Sequence, residues 1–304
     1  MTVSVVVCTR DRADSCVRSV ESLLAMHPAP DELVVVDQGR GLETASALAA
    51  LPGAERVTVV RSLARGLSAA RNEGMRACRG DVVLFTDDDC VADPDWAAAW
   101  ERALVAVPEA GVAFGQVSCP PFDAAQGYTA GFNVRPGRHR IDLFRLGAGQ
   151  VGMGANMAVR RDVWSAVGGF DEGLGAGARF PSAEDSDFAY RAVRAGYEIL
   201  HVREARVWHY GHRSGADASR LMHGYVYGIG AMYTKHVRCG DLLALRLLLS
   251  DLGHHLRKVA GNVPRRVRPS GLGGTAFYLK GIARSSRWPV DSRHRVYRVE
   301  APHG

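Results

Sequence analysis

Three carboxylates in a row, Asp87-Asp88-Asp89, close the run Gly80-Asp81-Val82-Val83-Leu84-Phe85-Thr86. Adjacent acids repel one another, so a fold that gathers them in one cleft needs a compensating cation. Oxygen donors of this kind suit a divalent ion beside a phosphate-bearing substrate. Alternation along an extended chain sends Asp87 and Asp89 one way and Asp88 the other. The plainer alternative is a solvated acidic turn after a strand. A second acidic set, Ser182-Ala183-Glu184-Asp185-Ser186-Asp187, precedes a segment with Phe188, Ala192 and Val193 at helical spacing. Acids there can take a proton as a general base, or simply cap a helix whose dipole favours them.

These side chains need a scaffold, and the elements before them are regular. Val3 to Cys8 read as a buried strand that stops in the polar loop Thr9-Arg10-Asp11-Arg12. Val17, Val20, Leu23 and Leu24 give residues 14 to 26 an apolar helical stripe, with Asp14 as its N-cap. A second strand, Leu33-Val34-Val35-Val36, ends at Asp37 and the Gln38-Gly39 turn, and a third spans Val57 to Val60. Gly66-Leu67-Ser68-Ala69-Ala70-Arg71-Asn72 then opens an Ala-rich helix before the strand into Asp87. Strands alternating with helices predict an α/β, Rossmann-like, doubly wound and mainly parallel sheet with helices on both faces. Ligands in such sheets sit beyond the carboxyl ends of the strands. Thr9, Arg10, Asp37 and Asp87 to Asp89 all lie at such ends, so one cleft collects them. Arg71 either meets a phosphate there or pairs with an acid.

The ordered set of motifs resembles family 2 of the inverting glycosyltransferases, which have the GT-A nucleotide-diphospho-sugar transferase fold. The blocks that carry the resemblance are VVVCTRDR, VVVDQG, GLSAARNEGMRACRGDVVLFTDDD, GMGANMAVRRDVWSAVGGFDE and AEDSDFAYRAVRAGY, within roughly residues 1 to 215. Asp37-Gln38 departs from the two aspartates that many members carry there. The resemblance implies a nucleoside-diphosphate sugar as donor and Mg²⁺ or Mn²⁺ as cofactor. It makes Asp37 the base-recognising carboxylate, with Thr9, Arg12, Arg71, Asn72 and Asp88 in the same pocket. Asp89 becomes a metal ligand, with Asp87 near the ribose or the metal. His209 is a candidate third ligand, its alternative being a hydrogen-bonded structural histidine. Asp185 maps onto the general base, and Glu184 would orient a glycan or lipid-linked acceptor. Asn156, in Gly152-Met153-Gly154-Ala155-Asn156, is either a donor-sugar contact or part of a glycine-relieved core strand. The long irregular stretch from Cys119 to Gln150 is assigned to acceptor recognition.

Composition agrees with a folded enzyme of 304 residues, 47% hydrophobic. The boundaries expected are a catalytic domain over 1–215, split near 115 into nucleotide-sugar and acceptor halves, and a helical basic extension over 216–304. Met1-Thr2-Val3 runs straight into a strand, leaving no room for a signal peptide. Six scattered cysteines without a CxxC pair suggest a reduced, cytoplasmic chain. Cys90 adjoins the acids, but a soft thiol suits a hard-oxygen site poorly.

Residues 221–304 hold 14 Lys or Arg against 4 Asp or Glu, whereas residues 1–220 hold 24 against 28. With leucine-rich helical segments, including Leu242 to Leu249, and the basic cluster Arg265-Arg266-Val267-Arg268, this tail suits an anionic membrane surface on the inner face. The alternative is a helical cap with solvated arginines. No recognised motif supports a nucleic-acid partner. Two rival functions remain open at this stage. A sugar-phosphate nucleotidyltransferase shares the sheet but carries a glycine-rich loop after its first strand, which Thr9-Arg10-Asp11-Arg12 lacks. A non-catalytic membrane-surface protein could retain the fold, although intact Asp89 and Asp185 argue against it.

Overall fold

The computed structural model describes residues 1–121, 127–135, 139–140, 151–260 and 271–299. Much of the Cys119 to Gln150 stretch, and Arg265, Arg266 and Arg268, lie outside these residues.

Four strands build one half of the central sheet: β1 Val3–Thr9, β2 Glu32–Asp37, β3 Val57–Arg61 and β4 Val82–Asp87. They are parallel, in the order β3-β2-β1-β4. Their register brings Thr9 beside Asp37 and Cys8 beside Asp87, so the carboxyl ends finish nearly level. The other half comprises β5 Cys90–Ala92, β6 Ala110–Ser118 and β10 Glu198–His209. Between the halves lies β9, Asn156–Arg160, antiparallel to both β4 and β6. Short β7 (Gly127–Tyr128) pairs with β11 (Arg213–Ser214), and β8 (His139–Arg140) pairs with β10.

Alternation along the buried strands creates two cores. Val5, Val7, Val35 and Leu84 pack with α1 (Ala13–Leu24) and α4 (Trp96–Ala106). Val6, Val34, Val36 and Phe85 pack with α3 (Leu67–Ala77) and α6 (Glu184–Arg194) on the opposite face. Strands covered on both faces read as continuous valine runs for this reason. Shorter helices α2 (Glu43–Ala49) and α5 (Arg161–Val167) complete the layers. The doubly wound, mainly parallel architecture is as expected. Gly74 lets α3 approach the sheet closely, because a Cβ there would lie 2.5 Å from Val6 Cγ1.

One local expectation fails. Asp14 falls inside the first turn of α1, and Arg12 holds the N-cap position without a side-chain cap. The Arg12 guanidinium is committed elsewhere, as described below.

The chain ends in helices α7 (Gly215–Arg238), α8 (Leu242–Ala260) and α9 (Leu272–Ser285), then a small hairpin of β12 (Val290–Asp291) and β13 (Val296–Tyr297). Ala231, Met232 and Tyr233 of α7 and Leu243, Ala244, Leu247 and Leu248 of α8 share the core that contains Phe85 and Phe188. Among the described residues, no helix is long and apolar enough to cross a membrane.

Candidate active site

A cavity of about 570 Å³ opens at the carboxyl ends of β1 and β4. Its walls come from the start of α3, the start of α6, the segment after β10 and one side of α7. Asp87, Asp88 and Asp89 all line it. The strict alternation expected of them does not hold, because β4 ends at Asp87 and the chain turns there. Asp88 and Asp89 instead share Arg12, whose Nη2 donates to Asp88 Oδ1 and Nη1 to Asp89 Oδ2 at 2.8 Å. Thr9 Oγ1 donates to Asp88 Oδ2 at 2.7 Å. Burial, with the neighbouring acids, pushes the Asp88 carboxyl up to about 6 despite Arg12 and Thr9. Burial also acts on Asp89, but His209, Arg12 and Arg213 outweigh it and hold that carboxyl below its usual value.

His209 stands at the end of β10, with Nε2 3.1 Å from Asp89 Oδ1. Its Nδ1 faces the Ala130 carbonyl at 2.7 Å and must donate, since a carbonyl only accepts. In the neutral ring, Nε2 then turns a lone pair toward a carboxylate oxygen. Two acceptors at that distance call for a proton or a cation between them. Burial would pull the imidazolium down, yet Asp89 and Asp87 outweigh it and raise His209 above its usual value.

The residues fit a divalent ion. Asp89 Oδ1 is buried and, among the described residues, accepts no hydrogen bond. Beside it, Gly211 leaves a cradle that a Cβ would fill, at 2.6 Å from Asp89 Oδ2 and 2.7 Å from His209 Nε2. Asp89, Cys90 and His209 offer ligand atoms within 4.8 Å of one another. Burial raises the Cys90 thiol well above its usual range, and a soft sulfur suits Mg²⁺ or Mn²⁺ less well than the oxygen and nitrogen donors beside it.

Across the cavity, α6 begins with an abrupt reversal: Ala183 has φ 74°, the left-handed region that costs a non-glycine residue about 1–2 kcal/mol. The two residues after it, Glu184 and Asp185, line the cavity. Asp185 Oδ2 accepts the Gly154 N–H at 2.7 Å, and Oδ1 accepts the N–H of Ser186 at 2.6 Å. Glu184 Oε1 accepts from Arg71 Nη1 at 3.0 Å. Burial and the charge of Asp185 push the Glu184 carboxyl up to about 7, against the pull of Arg71. Arg71 Nη2 is also 3.5 Å from Asp87 Oδ1. One buried guanidinium therefore joins the acids of the β4 turn to those of α6.

Residues 4–168, more than half of the chain, match the family described as glycosyl transferase family 2. The chain belongs to glycosyl transferase family 2. It is 30% identical over 223 residues to a glucosyl-dolichyl phosphate glucuronosyltransferase of Haloferax volcanii, covering 69% of each protein. In structure it is similar to the mannosyltransferase PcManGT from Pyrobaculum calidifontis, solved with GDP-Man and Mn2+, with a TM-score of 0.61 and 18% identity. That likeness covers 94% of this chain and 87% of PcManGT. It is also similar to S. aureus TarS 1-349, solved with UDP-GlcNAc, with a TM-score of 0.63, 15% identity and coverage of 94% and 80%. These likenesses show the GT-A fold.

In this glycosyltransferase three residues expected at the donor do not face the cavity. Asn156 is fully buried: Nδ2 donates to the carbonyls of Gln116 and Ala205, and Oδ1 accepts from Trp96 Nε1. It ties β9 to its neighbours, which corrects the expectation of a sugar contact. Asn72 is likewise committed, donating to Phe170 O and Glu172 Oε1 and accepting from Trp164 Nε1 and Phe170 N. Asp37 lies just behind the wall, buried, holding the Gly39 N–H at 2.7 Å and pairing with Arg61. Gln38, not Asp37, lines the cavity.

Other contributors escaped sequence reading. Leu221, Tyr225 and Ile229 of α7 face the cavity at i, i+4, i+8 spacing, a helical signal that could have been read. Behind α6, Asp187 binds Lys235, Arg191 and His236 in a solvent-free cluster that also takes in Asp171. Only the i, i+4 spacing of Asp187 and Arg191 was visible in advance.

Proposed function

We propose that this glycosyltransferase transfers a hexose, with inversion, from a nucleoside-diphosphate sugar to a hydroxyl of a glycan or lipid-linked acceptor, in polysaccharide or cell-envelope glycan synthesis. One observation carries the reading: two acidic sets, Asp87 to Asp89 with His209 and Glu184 with Asp185, open on one cavity from opposite walls. Family membership favours sugar transfer over nucleotidyl transfer.

Asp89 and His209, with Asp87 nearby, are the residues that would hold Mn²⁺ or Mg²⁺. The PcManGT complex with GDP-Man and Mn2+ supports that pairing of ion and donor. Such an ion supplies positive charge to the departing diphosphate. Thr9, Arg12 and Gln38 line the donor end of the cavity, and Asp37 fixes the Gln38-Gly39 turn at the base-binding edge.

On the acceptor wall, Asp185 takes the proton of the attacking hydroxyl. That oxygen forms a bond to the anomeric carbon from the face opposite the diphosphate. The bond from carbon to phosphate oxygen breaks, and its electron pair leaves with the diphosphate. Glu184 orients the acceptor, and Arg71 keeps both acidic sets in register across the gap. A single base without a covalent nucleophile leads to inversion.

A panel of nucleotide sugars, incubated with Mn²⁺ or with EDTA, tests the reading. Transfer that needs the metal and gives the inverted anomer by NMR is expected. A retained anomer, or transfer unaffected by EDTA, overturns it.

A further inference from the structure

Helix α8 carries two apolar faces. Leu243, Ala244, Leu247 and Leu248 turn into the core. On the other side Leu242, Leu245, Leu249 and Leu256 are 79%, 38%, 56% and 52% exposed. With the half-buried Leu252 they recur at intervals of 3, 4, 3 and 4 residues, which places them on one stripe of four turns. Isolated exposed leucines are ordinary, but a continuous stripe is not. Arg246 and Arg257 are exposed along one flank of it, at about 40–60° from Leu242 on a helix of 3.6 residues per turn.

We propose that this stripe lies on an anionic phospholipid surface, with the leucines dipping into the headgroup boundary and Arg246 and Arg257 meeting the lipid phosphates. A second copy of the chain is the competing occupant, since the spacing is also that of a coiled-coil seam. The flanking charges disfavour it. Positions within the helix that would flank such a seam hold Arg246, Leu248, Gly253 and His255 and no acid, so a like helix would offer Arg246 no opposite charge. A negative surface meets the charge of this region, where residues 221–304 hold 14 Lys or Arg against 4 Asp or Glu. The helix is too short on apolar residues to span a bilayer, so it rests in the plane of the interface.

Co-sedimentation of the full chain with phosphatidylcholine vesicles, with and without phosphatidylglycerol, tests the proposal. Binding is expected to the anionic vesicles and to fall steeply with salt. Leu249→Gln with Leu256→Gln should weaken it at least tenfold while circular dichroism stays unchanged, since both side chains are exposed. Arg246→Gln and Arg257→Gln should each weaken it by roughly fivefold and flatten the salt dependence. Equal binding by the leucine double variant and the unaltered chain overturns the proposal. So does a dimer in light scattering that dissociates in that variant, which would assign the stripe to a second copy. The assay reads no turnover, so its outcome is separate from that of the proposed reaction.

Discussion

Lys235 donates to Asp187 Oδ1 at 2.6 Å, and solvent reaches neither side chain. The same ammonium meets Asp171 Oδ2 at 2.6 Å. The C-terminal helix α7 is thereby locked to α6 two residues beyond Asp185. Burial pushes Asp187 up, but Lys235, Arg191 and His236 outweigh it and hold the carboxyl well below its usual value.

Lys235→Met should leave two buried carboxylates without their shared cation. Breaking a buried pair from one side costs about 3–5 kcal/mol. Guanidinium unfolding of the full chain measures it. A loss under 1 kcal/mol would mean that Arg191 and His236 already neutralise the site.

Gly211→Ala would set a methyl 2.6 Å from Asp89 Oδ2 and 2.7 Å from His209 Nε2, so it keeps both ligand residues in the sequence but forces their side chains apart. Mn²⁺-dependent binding of a nucleoside diphosphate, followed by isothermal titration, should weaken at least tenfold. Asp89→Ala should remove the metal dependence altogether, and the fold should survive because one of three clustered like charges is gone. Metal dependence unchanged in both variants would move the ion elsewhere.

Asp185→Asn keeps the side chain's size but cannot take a proton. Turnover should fall by roughly a hundred- to ten-thousand-fold. The donor's dissociation constant should stay within a few-fold, since no donor-side residue is touched. Turnover near the unaltered rate would reduce Asp185 to a helix-capping acid and make Glu184 the base.

Stability should fall as pH rises across the Glu184 transition. Its carboxyl titrates near 4.5 when unfolded and about 7 in the folded chain. Between those values the folded protein holds a proton that the unfolded chain has released. The contribution is therefore full below 4.5 and lost as pH passes 7, on the order of 1–3 kcal/mol. Denaturant midpoints at pH 5 and pH 7.5 should differ less in Glu184→Gln than in the unaltered chain. An equal difference would show that Asp88 and His209, which shift in the same direction, account for the slope.

The parts of the site that follow from strand ends were legible beforehand. Asp87 to Asp89 are reached because a run of buried valines must stop at the sheet edge, and Glu184 and Asp185 because acids gather where a helix begins. Orientation was not legible. Asn72 and Asn156 sit beside the cavity in the chain, yet Phe170 and Glu172 claim the Asn72 amide and carbonyls of β6 and β10 claim that of Asn156, and nothing in their neighbours announces that. Arg12 was expected in the nucleotide pocket, but its grip on Asp88 and Asp89 depends on a turn that the alternation argument ignored. The cluster around Lys235 joins residues 48 and 64 positions apart, a distance over which local pattern is silent.

The antiparallel strand β9 bears on how the chain is made. β4 hydrogen-bonds β1 on one edge and β9 on the other, but β9 ends at Arg160, some seventy residues after Asp87. At about 5–20 residues per second, a ribosome needs roughly 4–15 s to supply the missing partner. Throughout that interval Val82-Val83-Leu84-Phe85 is an open, wholly apolar edge on an otherwise assembled half-sheet, the kind that recruits strands from other nascent chains. Slow translation between residues 88 and 155 should therefore lower soluble yield, whereas slowing after 160 should not.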